Sequence, residues 1–182
     1  ILPRMVQMDK KRVRVWSAGC ARGEEVYSIK IVWDRLTEKF PQWPGIEILA
    51  TDMHPDYIDK AREGVYARSS MKEVSREVRE QYFEIRKNGH RFDIRAELKK
   101  GIEWKVRDLF SGPPGCDFDM IFLRNNLLTD YRTHLKIKGL KRILKALVPG
   151  GWLIVGSHEK PPSAVSDLQR HPSIPWAYRL DD

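Results

Sequence analysis

The spacing of apolar residues along the chain changes repeatedly between short continuous runs and longer stretches with helical periodicity. The short runs predict strands at residues 13–18, 46–50, 102–106, 118–123 and 152–155. The periodic stretches predict helices at residues 24–39, 54–64, 70–83 and 132–147. Strands that alternate with helices are typical of an α/β fold. We therefore expect a doubly wound, mostly parallel, Rossmann-like sheet with helices on both faces.

Turn residues and weaker patterns complete this prediction. Asn88-Gly89 marks a turn, and residues 91–95 alternate like an exposed strand. The Pro-Gly-Gly sequence at 149–151 predicts the end of the last helix. Residues 160–175 contain several prolines and serines and are expected to form a loop, which leaves residues 176–180 as a final edge strand.

Length and composition indicate one domain that spans residues 1–182. No apolar run approaches the 18 residues of a membrane span, so we expect no membrane insertion. Cys20 and Cys116 do not make a disulfide framework, and no cysteine or histidine spacing suggests zinc. A reduced, cytoplasmic setting is the simplest interpretation. Because the chain does not begin with Met, we expect a fragment or a processed product.

The balance of charge suggests a class of partner. The chain has 33 Lys and Arg against 25 Asp and Glu, which gives a formal net charge of +8. Such an excess favours an acidic partner, for example an acidic protein segment or nucleic acid. The six tryptophans are scattered and do not form a stacking platform, so nucleic acid is not the expected partner.

Candidate chemistry follows the first predicted strand, because ligands of doubly wound sheets bind at the carboxyl ends of strands. Small residues, including Ala18 and Gly19, come first and let a backbone approach a ligand. The sequence is neither G-x-G-x-x-G nor a P-loop. Glu24 and Glu25 follow, and they would repel phosphate but suit a ligand with positive charge or hydroxyl groups. Alternatively, these two acids only complement the macrodipole of the helix that they begin.

Acidic residues also end the second and third strands. Asp52 stands where an acidic residue typically binds ribose hydroxyls, although it could instead cap the next helix. Asp108 could accept a hydrogen bond from an adenine amino group, or it could lie in a surface turn. Acids at three successive strand ends without a phosphate cradle indicate a nucleoside that carries a cationic group. S-adenosyl-L-methionine (SAM) is the common ligand of that kind.

Several segments in order resemble the chemotaxis receptor glutamate methyltransferases, the CheR family. They cover most of residues 12–180 and are WSAGCARGEEVYS, ILATDMHPDYIDKAREGVY, REQYF, RFDIRAELKKGIEWKVRDLF, DFDMIFLRNN, LVPGGWLIVGSHE and AYR. The resemblance implies a SAM-dependent methyltransferase that leaves S-adenosyl-L-homocysteine (SAH) and methylates a protein glutamate, such as one in a receptor cytoplasmic domain. It also implies a small inserted β-subdomain at about residues 88–100.

The resemblance assigns roles to individual residues. Glu25 or Glu24 would hold the amino group or ribose side of SAM, and Asp52 would bind the ribose hydroxyls. Asp108 and Leu109 would lie beside the adenine, and Arg124 and Asn125 would close over SAM near its methyl group. The expected cofactor site is Ala18, Gly19, Glu24, Glu25, Asp52, Met53, Asp108, Leu109, Arg124 and Asn125.

Some positions depart from the family pattern. Thr129 occupies the usual position of a tyrosine near the substrate, and Tyr131 falls two residues later. Asn126 is polar where the family is apolar, and the family's Asn-x-Thr-x-x-x-Arg segment is not found in this chain. These departures keep two alternatives open: a small molecule or another side chain as methyl acceptor, and a non-catalytic SAM-binding module.

Arg124 and Tyr131 are the expected catalytic residues. A glutamate acceptor is already ionised at neutral pH, so alignment matters more than a general base. Arg124 could orient a carboxylate through a bidentate contact, or it could pair with an acid such as Asp119 or Asp130. Tyr131 could donate a hydrogen bond to the acceptor, or it could simply begin the next helix. Residues 157–159, Ser-His-Glu, are not expected to form a relay, because neighbouring strand residues point to opposite faces.

Overall fold

The structure is a computed structural model, and it describes residues 10–86 and 89–181. Its strands are β1 (Arg12–Ala18), β2 (Gly45–Asp52), β3 (Val65–Ala67), β4 (Phe83–Ile85), β5 (Arg91–Ile94), β6 (Ile102–Val106), β7 (Phe118–Leu123), β8 (Leu147–Val155), β9 (Leu168–Arg170) and β10 (Ala177–Leu180). Its helices are α1 (Glu24–Lys39), α2 (Pro55–Glu63), α3 (Arg76–Tyr82), α4 (Ala96–Lys99), α5 (Leu127–Asp130) and α6 (Thr133–Leu144). Short 3₁₀ turns lie at Arg68–Met71 and Leu109–Ser111.

Seven strands form one sheet in the order β6-β2-β1-β7-β8-β10-β9. The first five strands in this order run parallel, and β10 pairs antiparallel with both β8 and β9. The strand order reverses between β1 and β7. The expected mostly parallel α/β sheet is confirmed.

The alternation of side chains along the strands builds a core on each face of the sheet. Val15 packs in the same cluster as Trp33 of α1, whereas Trp16 packs in the cluster that contains Leu140 and Ile143 of α6. Neighbouring residues of a strand point to opposite faces, so α1 and α6 cover opposite sides of the sheet. All five of these side chains are buried.

A second, three-stranded antiparallel sheet has the order β3-β5-β4. Phe92 and Ile94 of the middle strand are buried and pack with Tyr27 of α1. The hydroxyl of Tyr66 on β3 donates to the Arg22 carbonyl at 3.1 Å, which connects this sheet to the loop after β1. The β-subdomain expected at about 88–100 overlaps β5, and residue 88 lies outside the described residues.

The helix predicted over residues 70–83 is wrong in its first half. The Ser75 hydroxyl accepts a hydrogen bond from the Val78 amide at 3.3 Å, so α3 begins only after Ser75. Met71, which seemed part of that helix, ends a 3₁₀ turn and is buried. The strands β3 and β4 were not predicted, because three residues are too few to show a period.

Two predictions near the carboxyl end of the chain also differ from the structure. The last predicted helix ends at Leu144, and Leu147 already pairs with Phe118 as the start of β8. The Pro-Gly-Gly sequence at 149–151 lies inside β8, where the pairing with β7 shifts, so it forms an irregularity in a strand. The last strand, β10, is not at the edge, because β9 pairs with its outer side. Within the described residues no helix has both the length and the apolar character that crossing a membrane requires.

Candidate active site

The carboxyl ends of four neighbouring parallel strands come together at the point where strand order reverses. Ala18 at the end of β1 pairs with Thr51, one residue before Asp52. Asp52 pairs with Val106 at the end of β6. Strand β7, which leads into Arg124, lies on the other side of β1. The topology therefore brings the predicted strand-end residues to one edge of the sheet, where ligands of such folds bind.

The loop after β1 is fixed by its backbone. The amides of Gly19 and Cys20 both donate to the Thr51 carbonyl at 2.8 Å. Gly19 has a φ of 81°, and a Cβ at this position would lie 2.2 Å from Nδ2 of Asn126. Ala21 also has a positive φ, 47°, which is uncommon for a residue with a side chain. The positive φ and the close approach of the Asn126 side chain thus favour glycine at position 19.

Asp52 uses both of its carboxylate oxygens to hold backbone around it. The Ala21 amide donates to Oδ2 at 2.9 Å, and the His54 amide donates to Oδ1 at 3.0 Å. The residue is 7% exposed. Each oxygen of an ionised carboxylate has a second acceptor position, so both could still accept from hydroxyl groups. Asp52 is not the cap of α2, because His54 is the N-cap residue and the start of this helix has no side-chain cap hydrogen bond. Asp52 instead accepts from the amide of that N-cap residue, and its role in binding ribose stays a prediction.

Glu25 faces the strand ends, and its neighbour Glu24 is exposed. The Ser17 hydroxyl donates to Oε1 of Glu25 at 2.7 Å, and Nη1 of Arg124 lies 3.2 Å from Oε2. Burial raises the pKa of Glu25 above its usual value, while the contacts with Ser17 and Arg124 oppose that rise. Arg124 therefore pairs with Glu25 instead of Asp119 or Asp130, and Asp119 bonds to Lys10 and to the Arg14 amide.

The turn after β7 places Arg124 and Asn125 beside the β1 loop. Asn125 has a φ of 52°. The side-chain amide of Asn126 donates to the Ala18 carbonyl at 2.7 Å, and its carbonyl oxygen accepts from the Leu127 amide at the start of α5. Asn126, which is polar where the family is apolar, thus joins the ends of β1 and β7.

A buried carboxylate that sequence reasoning did not select, Glu159, holds the other side of this turn. The amides of Asn125 and Gly156 donate to its Oε2 at 2.8 and 2.7 Å. The Thr129 hydroxyl donates to its Oε1 at 2.6 Å. The position of residues 157–159 after a predicted strand marks them for this edge of the sheet, although a Ser-His-Glu relay is not expected, and His158 is exposed. An acid that follows a central strand was the available signal for a role at this edge.

The remaining predicted residues follow the ends of β2, β6 and α5. Asp108 is exposed and accepts a hydrogen bond from the Phe110 amide at 2.7 Å. The amide of Arg107, the residue before Asp108, donates to the Asp52 carbonyl at 2.8 Å. The ring of Tyr131 lies 5.1 Å from the ring of Phe110, which places Tyr131 near Leu109. Met53 is 53% exposed, although it is a large apolar residue. An exposed apolar side chain beside a buried acid fits a ligand that is partly aromatic and partly polar.

The site offers carboxylates and no phosphate cradle. Glu25 accepts a hydrogen bond from Ser17 at the end of β1, and Asp52 accepts one from Ala21 in the loop that follows. The described residues contain no group of His, Cys, Asp and Glu that could hold a metal ion. These two carboxylates are hydrogen-bond acceptors, and they suit a ligand with an ammonium group and vicinal hydroxyls.

A family model described as "CheR methyltransferase, SAM binding domain" matches residues 1–176. A chemotaxis protein methyltransferase of Listeria innocua is 32% identical over 160 residues, which are 88% of this chain and 58% of that protein. An uncharacterized 104.1 kDa protein of Rhodobacter capsulatus is 33% identical over 147 residues, which are 81% of this chain and 15% of that protein. The chain therefore spans less than two thirds of these relatives.

Solved structures agree with the fold. The crystal structure of the N-methyltransferase NodS from Bradyrhizobium japonicum has a TM-score of 0.55 to this chain at 15% sequence identity. The match covers 100% of this chain and 93% of that one. At this identity the similarity concerns the fold alone.

Proposed function

Because the chain belongs to the CheR methyltransferase family, we propose that it transfers a methyl group from SAM to a protein glutamate carboxylate. SAM is the cofactor of the domain that the family model describes. One observation carries the proposal: the carboxylates of Glu25 and Asp52 lie on either side of the Gly19 loop, with no phosphate-binding sequence between them. This arrangement supports binding of a cationic nucleoside.

We assign the parts of SAM by their chemistry. The vicinal ribose hydroxyls would donate to Asp52, whose oxygens each retain an acceptor position. The ammonium group would pair with Glu25. Met53 and Leu109 would pack against the adenine, with Asp108 accepting from its amino group. Ala18 and Gly19 would form the floor, because their backbone carries no bulky side chain.

The proposed reaction needs alignment and a dry site more than proton transfer. When bound, SAM supplies an electrophilic methyl group, and the acceptor glutamate is already ionised at neutral pH. Arg124 has five N–H donors in a fixed plane, and its side chain is 42% exposed while it contacts Glu25. We propose that this guanidinium orients the acceptor carboxylate, and that Asn125 helps to close the site. Tyr131 would donate a hydrogen bond to the acceptor.

An acidic protein segment is the proposed partner, and a receptor cytoplasmic domain would be one example. The net charge of +8 supports an anionic partner. We also propose that residues 1–182 form a single domain, and that its inserted subdomain, expected at about residues 88–100, includes the small sheet of β3, β4 and β5. Its contacts with α1 and with Arg22 support this assignment, because they join it to the cofactor side of the fold.

A second candidate function keeps SAM and changes the acceptor to a small molecule. It is favoured by Thr129, whose hydroxyl donates to Glu159 at 2.6 Å and is therefore already engaged. The family tyrosine at this position would have a different contact. Methyl transfer from labelled SAM to glutamate-rich protein substrates and to small carboxylic acids distinguishes the two candidates. A chain that binds SAM without turnover on either class of acceptor would be a non-catalytic module.

The experiment that tests the proposal is calorimetric titration of the protein with SAM and with SAH. Asp52→Asn should weaken both by about 10-fold or more, because a charge-assisted hydrogen bond contributes roughly 1.5–3 kcal/mol. Glu47→Gln is the control, since Glu47 lies at the opposite end of β2 in an exposed ion pair with Arg12. A wild-type protein that binds neither compound, or an Asp52→Asn variant that binds both normally while folded, would refute the proposed site.

A further inference from the structure

Glu159 is 7% exposed, and each of its two carboxylate oxygens accepts at least one hydrogen bond from another residue. A buried carboxylate is costly unless such donors compensate it, and here three donors from two segments surround it. Two of them are backbone amides, at Asn125 and Gly156. The residue therefore joins the turn after β7 to the turn after β8.

The contact with Asn125 fixes an uncommon backbone conformation. Asn125 has a φ of 52°, in the left-handed region that asparagine enters more readily than most residues but still at some energetic cost. The Glu159 carboxylate holds the amide of this residue at 2.8 Å. The next segment fits closely as well, because a Cβ on Gly156 would lie 2.5 Å from Oδ1 of Asn125 and 2.7 Å from Oε2 of Glu159.

We propose that Glu159 is a positioning residue for the binding of SAM. It holds Asn125 in its left-handed conformation and thereby directs the preceding Arg124 toward Glu25, without contacting SAM itself. Thr129 completes the arrangement as the third donor to Glu159. This inference rests on the proposed function and adds to it a residue that acts through its neighbours.

The geometry allows the role of shape to be separated from the role of charge. Both backbone amides donate to the same oxygen, Oε2, and the Thr129 hydroxyl alone donates to Oε1. A glutamine could therefore keep its carbonyl oxygen toward the two amides and turn its NH₂ toward Thr129. A hydroxyl can reverse its role and accept that hydrogen bond. Glu159→Gln thus preserves the contacts and removes the charge.

The test compares Glu159→Gln and Glu159→Ala by calorimetric titration with SAH, at a temperature where circular dichroism shows each variant fully folded. Glu159→Ala should weaken SAH binding by about 10-fold or more, and Glu159→Gln should stay within about 3-fold of wild type. Asp119→Ala is the matched control. Its carboxylate also accepts a backbone hydrogen bond, from Arg14 at 2.8 Å, but at the amino-terminal edge of the sheet. This control should bind SAH as wild type does.

Two results of the titration would overturn the proposal. Equal losses in the glutamine and alanine variants would mean that Glu159 acts by its charge. Normal SAH binding by a folded Glu159→Ala variant would mean that it positions nothing. Amide hydrogen exchange at Asn125, measured by NMR without ligand, gives a readout that does not depend on SAH. The proposal is supported if exchange at Asn125 is faster in Glu159→Ala but not in Glu159→Gln. Unchanged exchange in Glu159→Ala contradicts it. A failure of the wild-type protein to bind SAH would instead refute the proposed function.

Discussion

The guanidinium of Arg124 and the carboxylate of Glu25, which lie 99 residues apart in the chain, meet at 3.2 Å between Nη1 and Oε2. The carboxylate is the more buried of the two, with 18% of its side chain exposed against 42% for the arginine. The pair therefore has one face toward solvent, where a ligand with both a positive and a negative group could contact it.

Replacing Arg124 by methionine should make SAM binding more sensitive to acid. Arg124 opposes the rise that burial causes in the pKa of Glu25, so its removal should raise that pKa further. In the proposed site the ammonium group of SAM pairs with the ionised carboxylate, so the affinity should fall at a higher pH than in wild type. Titration calorimetry between pH 5.5 and 8.5 measures this shift. Arg12→Met, which disrupts an exposed ion pair at the opposite edge of the sheet, should leave the profile unchanged.

Glu25→Gln should change how stability depends on pH. A carboxyl group with a raised folded-state pKa favours the fold below its unfolded pKa, near 4.5, and this contribution is lost as pH rises through the folded-state pKa. The free energy of unfolding of wild type should therefore fall relative to Glu25→Gln as pH increases from about 4.5 toward neutrality. Denaturant unfolding at a series of pH values measures the difference. A constant difference over this range would show that burial does not raise the pKa of Glu25.

Gly19→Ala should cost more than an ordinary left-handed glycine substitution. The new methyl group would lie 2.2 Å from Nδ2 of Asn126 and displace its hydrogen bond to Ala18, in addition to the cost of a φ of 81°. We expect a loss of about 2–3 kcal/mol in the free energy of unfolding, the sum of the backbone cost and one hydrogen bond. Gly89→Ala is the control, because its φ is 67° and the added Cβ would meet no described atom within 4 Å. That variant should lose about 1–2 kcal/mol from the backbone alone. Equal losses in the two variants would contradict the close contact at Gly19.

The two cysteines should differ in reactivity. Burial raises the pKa of Cys20 to about 12, and the side chain is 3% exposed. Cys116 is exposed, and its hydrogen bond to Asp117 raises its pKa as well. In the folded protein at pH 8, a thiol reagent should therefore react slowly with Cys116 and leave Cys20 unmodified until the protein unfolds. Mass spectrometry of the labelled peptides identifies the site, and Cys116→Ser should abolish labelling of the native protein.

Periodicity was sufficient to predict the five parallel strands of the main sheet, whereas β9 lies within residues 160–175, which were expected to form a loop. Helix α1 has the predicted bounds, Glu24–Lys39. The placement of Glu25 and Asp52 at the same edge of the sheet also followed from the sequence, since consecutive parallel strands end at one edge. What could not be predicted was which partner each side chain would take. Arg124 pairs with Glu25 in the structure. The sequence had suggested only Asp119 or Asp130 as acids that could pair with it.

The role of Glu159 shows the same limit. Its burial depends on Asn125, 34 residues earlier in the chain, and on a turn that glycine at 156 makes possible. Local pattern carries no information about such contacts. The short strands β3 and β4 escaped prediction for a related reason, because they are stabilised by pairing with β5 and not by a pattern of their own.

The loop after β1 has a further consequence for the speed of ligand capture. Its backbone is already anchored to Thr51 through two amides and to Asp52 through a third. A segment held in this way has little conformational entropy left to lose when a ligand arrives. Association should therefore follow collision frequency and solvent viscosity, with no slow rearrangement that limits it. The residence time of the ligand, and not its rate of entry, would then set the differences in affinity among variants of this loop.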